Sequence, residues 1–96
     1  MIINKSLILS WNEFNTQSSP EANGVYVMRE SPTLEGIIYI GSSNNLRERL
    51  LTHWRENDIS SVKFFDWYQT KTDEEAKQLE RLWITKYKPR FNTQYL

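Results

Sequence analysis

IIYIGSSNNLRERLLTHW, residues 37–54, is the stretch that decides how this chain folds. Its first four residues are strong β-formers and predict a buried strand. Gly41 is expected to end that strand, and the polar residues 42–45 are expected to form a turn. Asn44 or Asn45 then caps a helix, because an asparagine side chain accepts a hydrogen bond from a free amide at a helix N-terminus.

The predicted helix carries a stripe of apolar side chains. Leu46 and Leu50 lie four residues apart and Trp54 follows one turn later, which is the spacing of a face packed on a core. Arg49 and His53 are also four residues apart, so they share a face beside that stripe. The strand, the small turn and the helix therefore place a cation and an imidazole where they can hold a charged group.

Two further segments predict strands. Residues 24–30 alternate in the manner of a strand and reach the first predicted strand through a short loop, which indicates an antiparallel hairpin. Residues 62–70 are dense in aromatic and β-branched side chains. Tyr26 and Tyr39 would then lie on neighbouring strands, where two tyrosines often do no more than pack against each other.

The helices are expected at residues 45–57 and 73–87. Thr72 and Glu75 have the spacing of a capping box at the start of the second helix. Pro89 ends that helix, because the residue before a proline is pushed out of helical geometry.

The N-terminal residues 1–23 are interpreted as a packing arm for the core, with Ser10 capping a short helix through Trp11 and Phe14. Taken together, the pattern predicts one α/β domain over residues 1–96. Its sheet is expected to be three-stranded and mostly antiparallel, with helices flanking it.

Composition sets limits on what this chain can be. With 96 residues it can build one compact core, to which its 13 aromatic side chains can contribute. The absence of cysteine excludes disulfides and thiolate metal sites. The N-terminal apolar run is too short for a signal peptide, and no stretch is long enough to span a membrane. A cytoplasmic protein without membrane contact is the expectation.

The formal net charge is zero, with 12 basic and 12 acidic residues. That balance argues against a strong non-specific nucleic-acid binder, which is normally basic. The charges are unevenly placed, however, because the segment after Glu80 is basic and holds no acid. Lys86, Lys88 and Arg90 therefore form a candidate nucleic-acid-binding surface.

Glu80 stands at the edge of the apolar stripe of the second predicted helix. It lies next to Leu79, four residues from Ala76 and three from Trp83. A carboxylate in such a place needs a partner, because an unpaired buried charge is costly. Position alone favours an ion pair with an arginine, or an exposed glutamate at the rim of the core.

Five elements in order carry a family resemblance: the tripeptides 24–26 and 39–41, Arg49 eight residues past Gly41, Glu80, and Asn92. This set, from about residue 24 to residue 92, resembles the GIY-YIG nuclease superfamily. It is similar to the N-terminal catalytic domain of excision-repair endonucleases and to GIY-YIG homing endonucleases. Ser42 departs from the excision-repair pattern, in which a lysine directly follows the YIG glycine.

The resemblance implies a metal-dependent endonuclease that hydrolyses phosphodiester bonds in DNA. It implies that Glu80 holds one divalent ion, Mg²⁺ or Mn²⁺, and that Arg49 binds the phosphate. It also implies an active site that contains Tyr26, Tyr39, Arg49, His53 and Asn92. Which tyrosine assists the attacking water, and whether His53 takes part, stay open at the level of sequence.

The sequence also indicates partners and two alternative functions. The chain holds little beyond the motif-bearing core, so a separate specificity protein or a homodimer is one expected source of target choice. One rival is a module of the same fold that binds nucleic acid without cutting it, which the neutral charge favours. The other is a protein-interaction domain that uses the aromatic segment 64–68.

Overall fold

The computed structural model describes residues 2–92, which form one antiparallel sheet and three α-helices. In chain order the elements are β1 (Ile2–Lys5), β2 (Leu9–Ser10), α1 (Glu13–Gln17), β3 (Gly24–Arg29), β4 (Ile37–Ser43), α2 (Leu46–Glu56), β5 (Phe64–Thr70) and α3 (Asp73–Tyr87). One turn of 3₁₀ helix, Leu34–Gly36, leads into β4.

The sheet confirms the predicted α/β class and its antiparallel character. Its order is β1-β5-β3-β4, and β2 also pairs with β5. Each of these strand pairs is antiparallel. The three predicted strands correspond to β3, β4 and β5, but the sheet has five strands rather than three. The two additional strands come from the N-terminal segment, which covers the edge of β5 that would otherwise expose a row of unpaired backbone groups.

The N-terminal segment therefore differs from its prediction. Ser10 pairs with Phe64 in the sheet and does not cap a helix. Asn12 takes that role, and its side chain accepts a hydrogen bond from the Asn15 amide. The backbone groups at the edge of β5 determine where the N-terminal segment lies. The residues of the segment alone do not predict this pairing.

Side chains that alternate along β3 divide the core between the two faces of the sheet. Tyr26 and Met28 pack with Leu46 and Leu50 of α2 on one face. On the other face, Val25 and Val27 pack with Leu79 and the other apolar side chains of α3. The sheet thus lies between the two helices, and the face occupied by each helix follows from the period of two along the strand.

Strand β4 continues further than its sequence suggests. Gly41 does not end it, because residues 41–43 pair with β3 as far as Gly24. A Cβ atom at position 41 would overlap the ring of Tyr26, so the glycine is needed for close approach of a side chain and not for a turn.

The helix termini agree with their predictions where local chemistry determines them. Asn45 caps α2, and Thr72 and Glu75 form both halves of a capping box on α3. Asn57 ends α2 and Lys88 ends α3, each in the left-handed conformation. Within residues 2–92, no helix is long and apolar enough to cross a membrane.

Candidate active site

Three rings form a cluster on the α2 face of the sheet. Tyr26 of β3, Tyr39 of β4 and His53 of α2 have ring centroids 5.5 to 6.2 Å apart. Tyr39 directly opposes Met28 on β3, so it shares a face with Tyr26. Tyr26 is fully buried and His53 is only 8% exposed, whereas Tyr39 is half-buried. Of these two tyrosines, Tyr39 is the one open to solvent.

The Tyr26 hydroxyl forms a 2.9 Å hydrogen bond with Nε2 of His53. Burial raises the pKa of Tyr26 above its ordinary value, and the nearby Tyr39 adds to the rise. The charge of Arg49 opposes the rise, while the Glu80 carboxylate raises the pKa further. Tyr26 is therefore held as a neutral phenol, which makes it a poor base.

The other ring nitrogen of His53 meets a carboxylate. Nδ1 lies 2.8 Å from Oδ1 of Asp58 and 3.1 Å from Oδ2. Asp58 is just past the end of α2, and its side chain is 42% exposed. Both nitrogens of His53, the only histidine in the chain, are thus engaged by polar partners.

Arg49 places an exposed cation beside this cluster. It lies one helical turn before His53 on α2, as the sequence spacing predicts, and it acts on the Tyr26 hydroxyl. Within residues 2–92 it forms no ion pair with a carboxylate. Its planar guanidinium therefore keeps donors available for an anionic group.

Glu80 approaches the same end of β4 from the other face of the sheet. Its Oε1 accepts a 2.6 Å hydrogen bond from Ser42, the residue after Gly41. The charge of this carboxylate reaches the Tyr26 hydroxyl and raises the pKa of that phenol. The ring cluster, Arg49 and Glu80 thus meet across the outer edge of the sheet.

The surroundings of Glu80 suit a hard divalent cation. Its carboxylate is half-buried, and it forms no ion pair with any residue in the described range. Residues 2–92 contain no group of three or more histidine and acidic side chains close enough to enclose a metal. Mg²⁺ needs no such group, since it is usually held by one or two carboxylates, waters and substrate phosphates. Glu80 therefore fits the role of one carboxylate ligand to such an ion.

Asn92 lies beside the outer edge of β4. Its side-chain amide forms the two backbone hydrogen bonds that a neighbouring strand would otherwise form. Its Oδ1 accepts from the Ile40 amide at 2.8 Å, and its Nδ2 donates to the Ile40 carbonyl at 2.9 Å. The amide of Phe91 donates to the carbonyl of Ile38 in the same row. Asn92 thus holds the backbone of the YIG tripeptide, which the sequence did not indicate.

Lys86, Lys88 and Arg90, which were predicted to bind nucleic acid, lie in the last turn of α3 or just beyond it. Arg90 forms a bidentate ion pair with Glu30, which directly follows the last residue of β3. Lys86 and Lys88 are exposed at the C-terminal end of α3. Of the three residues predicted to bind nucleic acid, the two lysines present the more available charge.

Sequence reasoning missed the role of Asp58 and the hydrogen bond from Ser42 to Glu80. The signal for Asp58 was its position five residues after His53, directly beyond an asparagine at the end of a helix. Ser42 was noticed only as a departure from a motif. Both contacts depend on how the chain turns after a regular element, and periodicity carries no information about such turns.

The family model of the UvrC-like GIY-YIG domain matches residues 22–93. That range contains both tripeptides and every residue named above in the candidate active site. The chain belongs to the UvrC-like GIY-YIG family. The resemblance seen in the sequence is therefore confirmed at the level of the family.

Curated relatives of this GIY-YIG chain are UvrABC system C proteins. The protein from Frankia casuarinae is 37% identical over 87 residues, which is 81% of this chain and 12% of that protein. The protein from Aquifex aeolicus is 36% identical over 84 residues, or 79% of this chain and 14% of that protein. The chain spans about an eighth of the length of such relatives.

A solved structure shares the GIY-YIG fold. It is the N-terminal endonuclease domain of UvrC from Thermotoga maritima bound to magnesium, with a TM-score of 0.69. The match covers 81% of this chain and 91% of that one, at 24% sequence identity. This likeness supports the same arrangement of sheet and helices.

Proposed function

We propose that this chain is a metal-dependent endonuclease domain that hydrolyses phosphodiester bonds in DNA. The observation that carries the proposal is the meeting of Arg49, the Tyr26–Tyr39–His53 cluster and the Glu80 carboxylate at one end of β4. The magnesium-bound endonuclease domain from Thermotoga maritima supports it through the shared fold. The proposal treats residues 1–96 as one catalytic domain with its motif-bearing core at residues 24–92.

Arg49 is proposed to bind the phosphate of the bond that is cut. Phosphodiester hydrolysis builds negative charge on the non-bridging oxygens, and a guanidinium offers two parallel donors to such oxygens. Arg49 suits this role because it is exposed and forms no ion pair within residues 2–92.

Glu80 is proposed to hold one Mg²⁺ or Mn²⁺ ion. When bound, such an ion stabilises charge on the phosphate and on the departing oxygen. The part played by Glu80 is to present one oriented carboxylate at the edge of the sheet. Ser42 fixes the direction of that carboxylate by donating to Oε1.

Tyr39 is the better candidate for the residue that assists the attacking water. A group that takes a proton from water must be reached by water, and Tyr39 is half-buried whereas Tyr26 is fully buried. Tyr26 is also held as a neutral phenol by its surroundings, with desolvation as the largest cause of its raised pKa. Tyr26 and His53 are therefore proposed to support the site, and Tyr39 to face the substrate.

Asn92 is proposed to act on catalysis through Ile40, whose backbone it holds beside Tyr39. Lys86, Lys88 and Arg90 are proposed to contact the DNA backbone away from the cut. Three basic residues give limited affinity in a chain of zero net charge. A specificity protein or a second copy of the chain is proposed as the source of target choice.

Cleavage of supercoiled and branched DNA with Mg²⁺ or Mn²⁺ tests this function. Wild type should nick the DNA, and chelation of the metal should stop the reaction. Glu80→Gln should be inactive, while Glu74→Gln on the exposed side of the same helix should cut like wild type. Equal cutting by Glu80→Gln would remove the proposed role of that carboxylate. Binding without cutting by all three proteins would favour the non-catalytic module.

A further inference from the structure

We infer that Asp58 is a positioning residue that fixes the tautomer of His53 and, through it, the direction of the hydrogen bond between His53 and Tyr26. The inference rests on the proposed function for its catalytic consequence. The hydrogen-bond arrangement itself can be tested without any nuclease activity. Asp58 lies outside both tripeptides, and its effect is transmitted through two buried side chains.

The end of α2 explains how Asp58 reaches His53. Asn57 adopts the left-handed conformation, with φ of 49°, and its amide donates to the His53 carbonyl at 2.8 Å. This reverses the chain, so the next residue turns back along the helix. Ile59 then packs into the same apolar core cluster as Leu50, which anchors the turn in the core. The Asp58 carboxylate is thereby held against Nδ1 by its two chain neighbours.

A carboxylate at Nδ1 decides which nitrogen of a neutral imidazole carries the proton. An ionised carboxylate can only accept hydrogen bonds, and both oxygens of Asp58 lie within 3.1 Å of Nδ1. The proton therefore belongs on Nδ1, and Nε2 presents a lone pair. The partner of Nε2 is the Tyr26 hydroxyl at 2.9 Å, which must then donate its hydrogen to His53.

The direction of that hydrogen bond decides what the Tyr26 oxygen can accept. A tyrosine oxygen has one hydrogen to give and lone pairs with which to accept. When the hydrogen points to His53, the lone pairs stay available to another donor. In the other tautomer, Nε2–H would donate to those lone pairs, and the lone pair of Nδ1 would face the Asp58 carboxylate, so that two acceptors would oppose each other. Asp58 thus favours the tautomer in which the Tyr26 hydroxyl donates to His53.

The groups that face His53 come from three elements. Tyr26 lies on β3 and Tyr39 on β4, and both rings pack against the imidazole. Arg49 precedes it by one turn on the same helix, and Asp58 follows that helix. Among residues 2–92, Asp58 is the acidic residue whose side chain contacts the imidazole ring, which makes it the residue to change.

Nitrogen-15 NMR of the imidazole tests the inference directly, because the chain has a single histidine and its signals need no assignment. Spectra are recorded at about pH 8, above the ordinary titration range of histidine. Wild type should show the neutral Nδ1–H tautomer. Asp58→Ala should lose that preference, and Asp58→Asn should retain much of it, since its amide oxygen can still accept. Glu56→Ala, an exposed acid two residues away, is the control and should match wild type.

Two NMR results would overturn the inference. One is an Nε2–H tautomer or an imidazolium in wild type, and the other is a wild-type spectrum in Asp58→Ala. Near-complete folding of each variant is checked by its methyl spectrum. Because Asp58 is 42% exposed, loss of the fold is not expected, and Asp58→Asn provides a second reading of the same contact.

A second experiment measures kcat and KM of DNA cleavage. Asp58→Ala should lower kcat about 10-fold, as loss of an orienting partner of a functional side chain typically does, and Asp58→Asn should restore most of the rate. An unchanged kcat together with a changed tautomer would overturn the proposed effect of the His53 tautomer on catalysis. If wild type cuts no DNA, the proposed function fails. The NMR result then still decides whether Asp58 fixes the His53 tautomer.

Discussion

The ring of Tyr26 lies over Gly41, so that the first tripeptide motif and the second are joined by direct contact across the β3–β4 pair. The nearest atoms of the ring to a Cβ at position 41 are the hydroxyl oxygen and the carbon that bears it. This contact brings the Tyr26 hydroxyl to the point where Ser42 and Glu80 approach from the opposite face. The glycine is therefore a condition for the site as well as for the sheet.

Gly41→Ala should destabilise the domain by about 1–3 kcal/mol, because the added methyl group overlaps a buried ring that cannot move freely. Urea unfolding measures the change. The cost should be smaller in a Tyr26→Phe background, because the closest overlapping atom is then absent. A Gly41→Ala protein with the wild-type midpoint would show that the ring does not lie over residue 41.

Asn92→Ala should expose the edge of β4. The variant leaves the amide and carbonyl of Ile40 without their present partners, which should lower the free energy of unfolding by about 1–3 kcal/mol. Hydrogen exchange at the Ile40 amide should become faster than in wild type. Lys86→Ala, a nearby surface change, should alter stability by no more than about 0.5 kcal/mol. Unchanged protection at Ile40 would contradict the role assigned to this side chain.

The sequence predicted the regular elements well because their causes are local. Alternation along β3, the stripe of α2 and the capping box of α3 each depend on residues a few positions apart. The paired N-terminal strands could not be foreseen, because their place depends on the open edge of β5. The same holds for Asp58, whose contact depends on the left-handed Asn57, and for Asn92, whose amide meets a strand 52 residues away in sequence.

Stability should fall in alkaline solution above about pH 10, the ordinary pKa of tyrosine. Burial raises the pKa of Tyr26, and burial with the contact to Asp66 raises that of Tyr68. As pH rises past the ordinary value, the unfolded chain releases these protons while the folded chain keeps them, so unfolding becomes more favourable. Urea midpoints between about pH 8 and pH 11 measure the decline. Tyr26→Phe and Tyr68→Phe should each flatten it, and an equal slope in both variants and wild type would contradict the assignment.

Ser42→Ala should weaken the metal site more than the fold. The variant removes the donor to Glu80 Oε1, and loss of such an orienting contact typically lowers metal affinity or activity about 10-fold or more. Titration of the cleavage rate with Mg²⁺ should show a higher half-saturating concentration. Ser60→Ala, an exposed serine distant in sequence from β4, is the control. Equal Mg²⁺ dependence in Ser42→Ala and wild type would mean that Glu80 needs no orientation by Ser42.

The single-turnover rate of DNA cleavage, measured with the melting temperature on the same preparations, tests the endonuclease proposal most directly. Arg49→Ala and Glu80→Ala should each cut about 10²–10³ times more slowly than wild type while melting within a few degrees of it, because both side chains act on charge that develops during the reaction. Leu50→Ala is the contrasting control, since loss of that fully buried side chain should cost about 2–5 kcal/mol. Unfolding of the domain by Glu80→Ala, or wild-type protein that cuts no DNA or RNA substrate, would contradict the proposal.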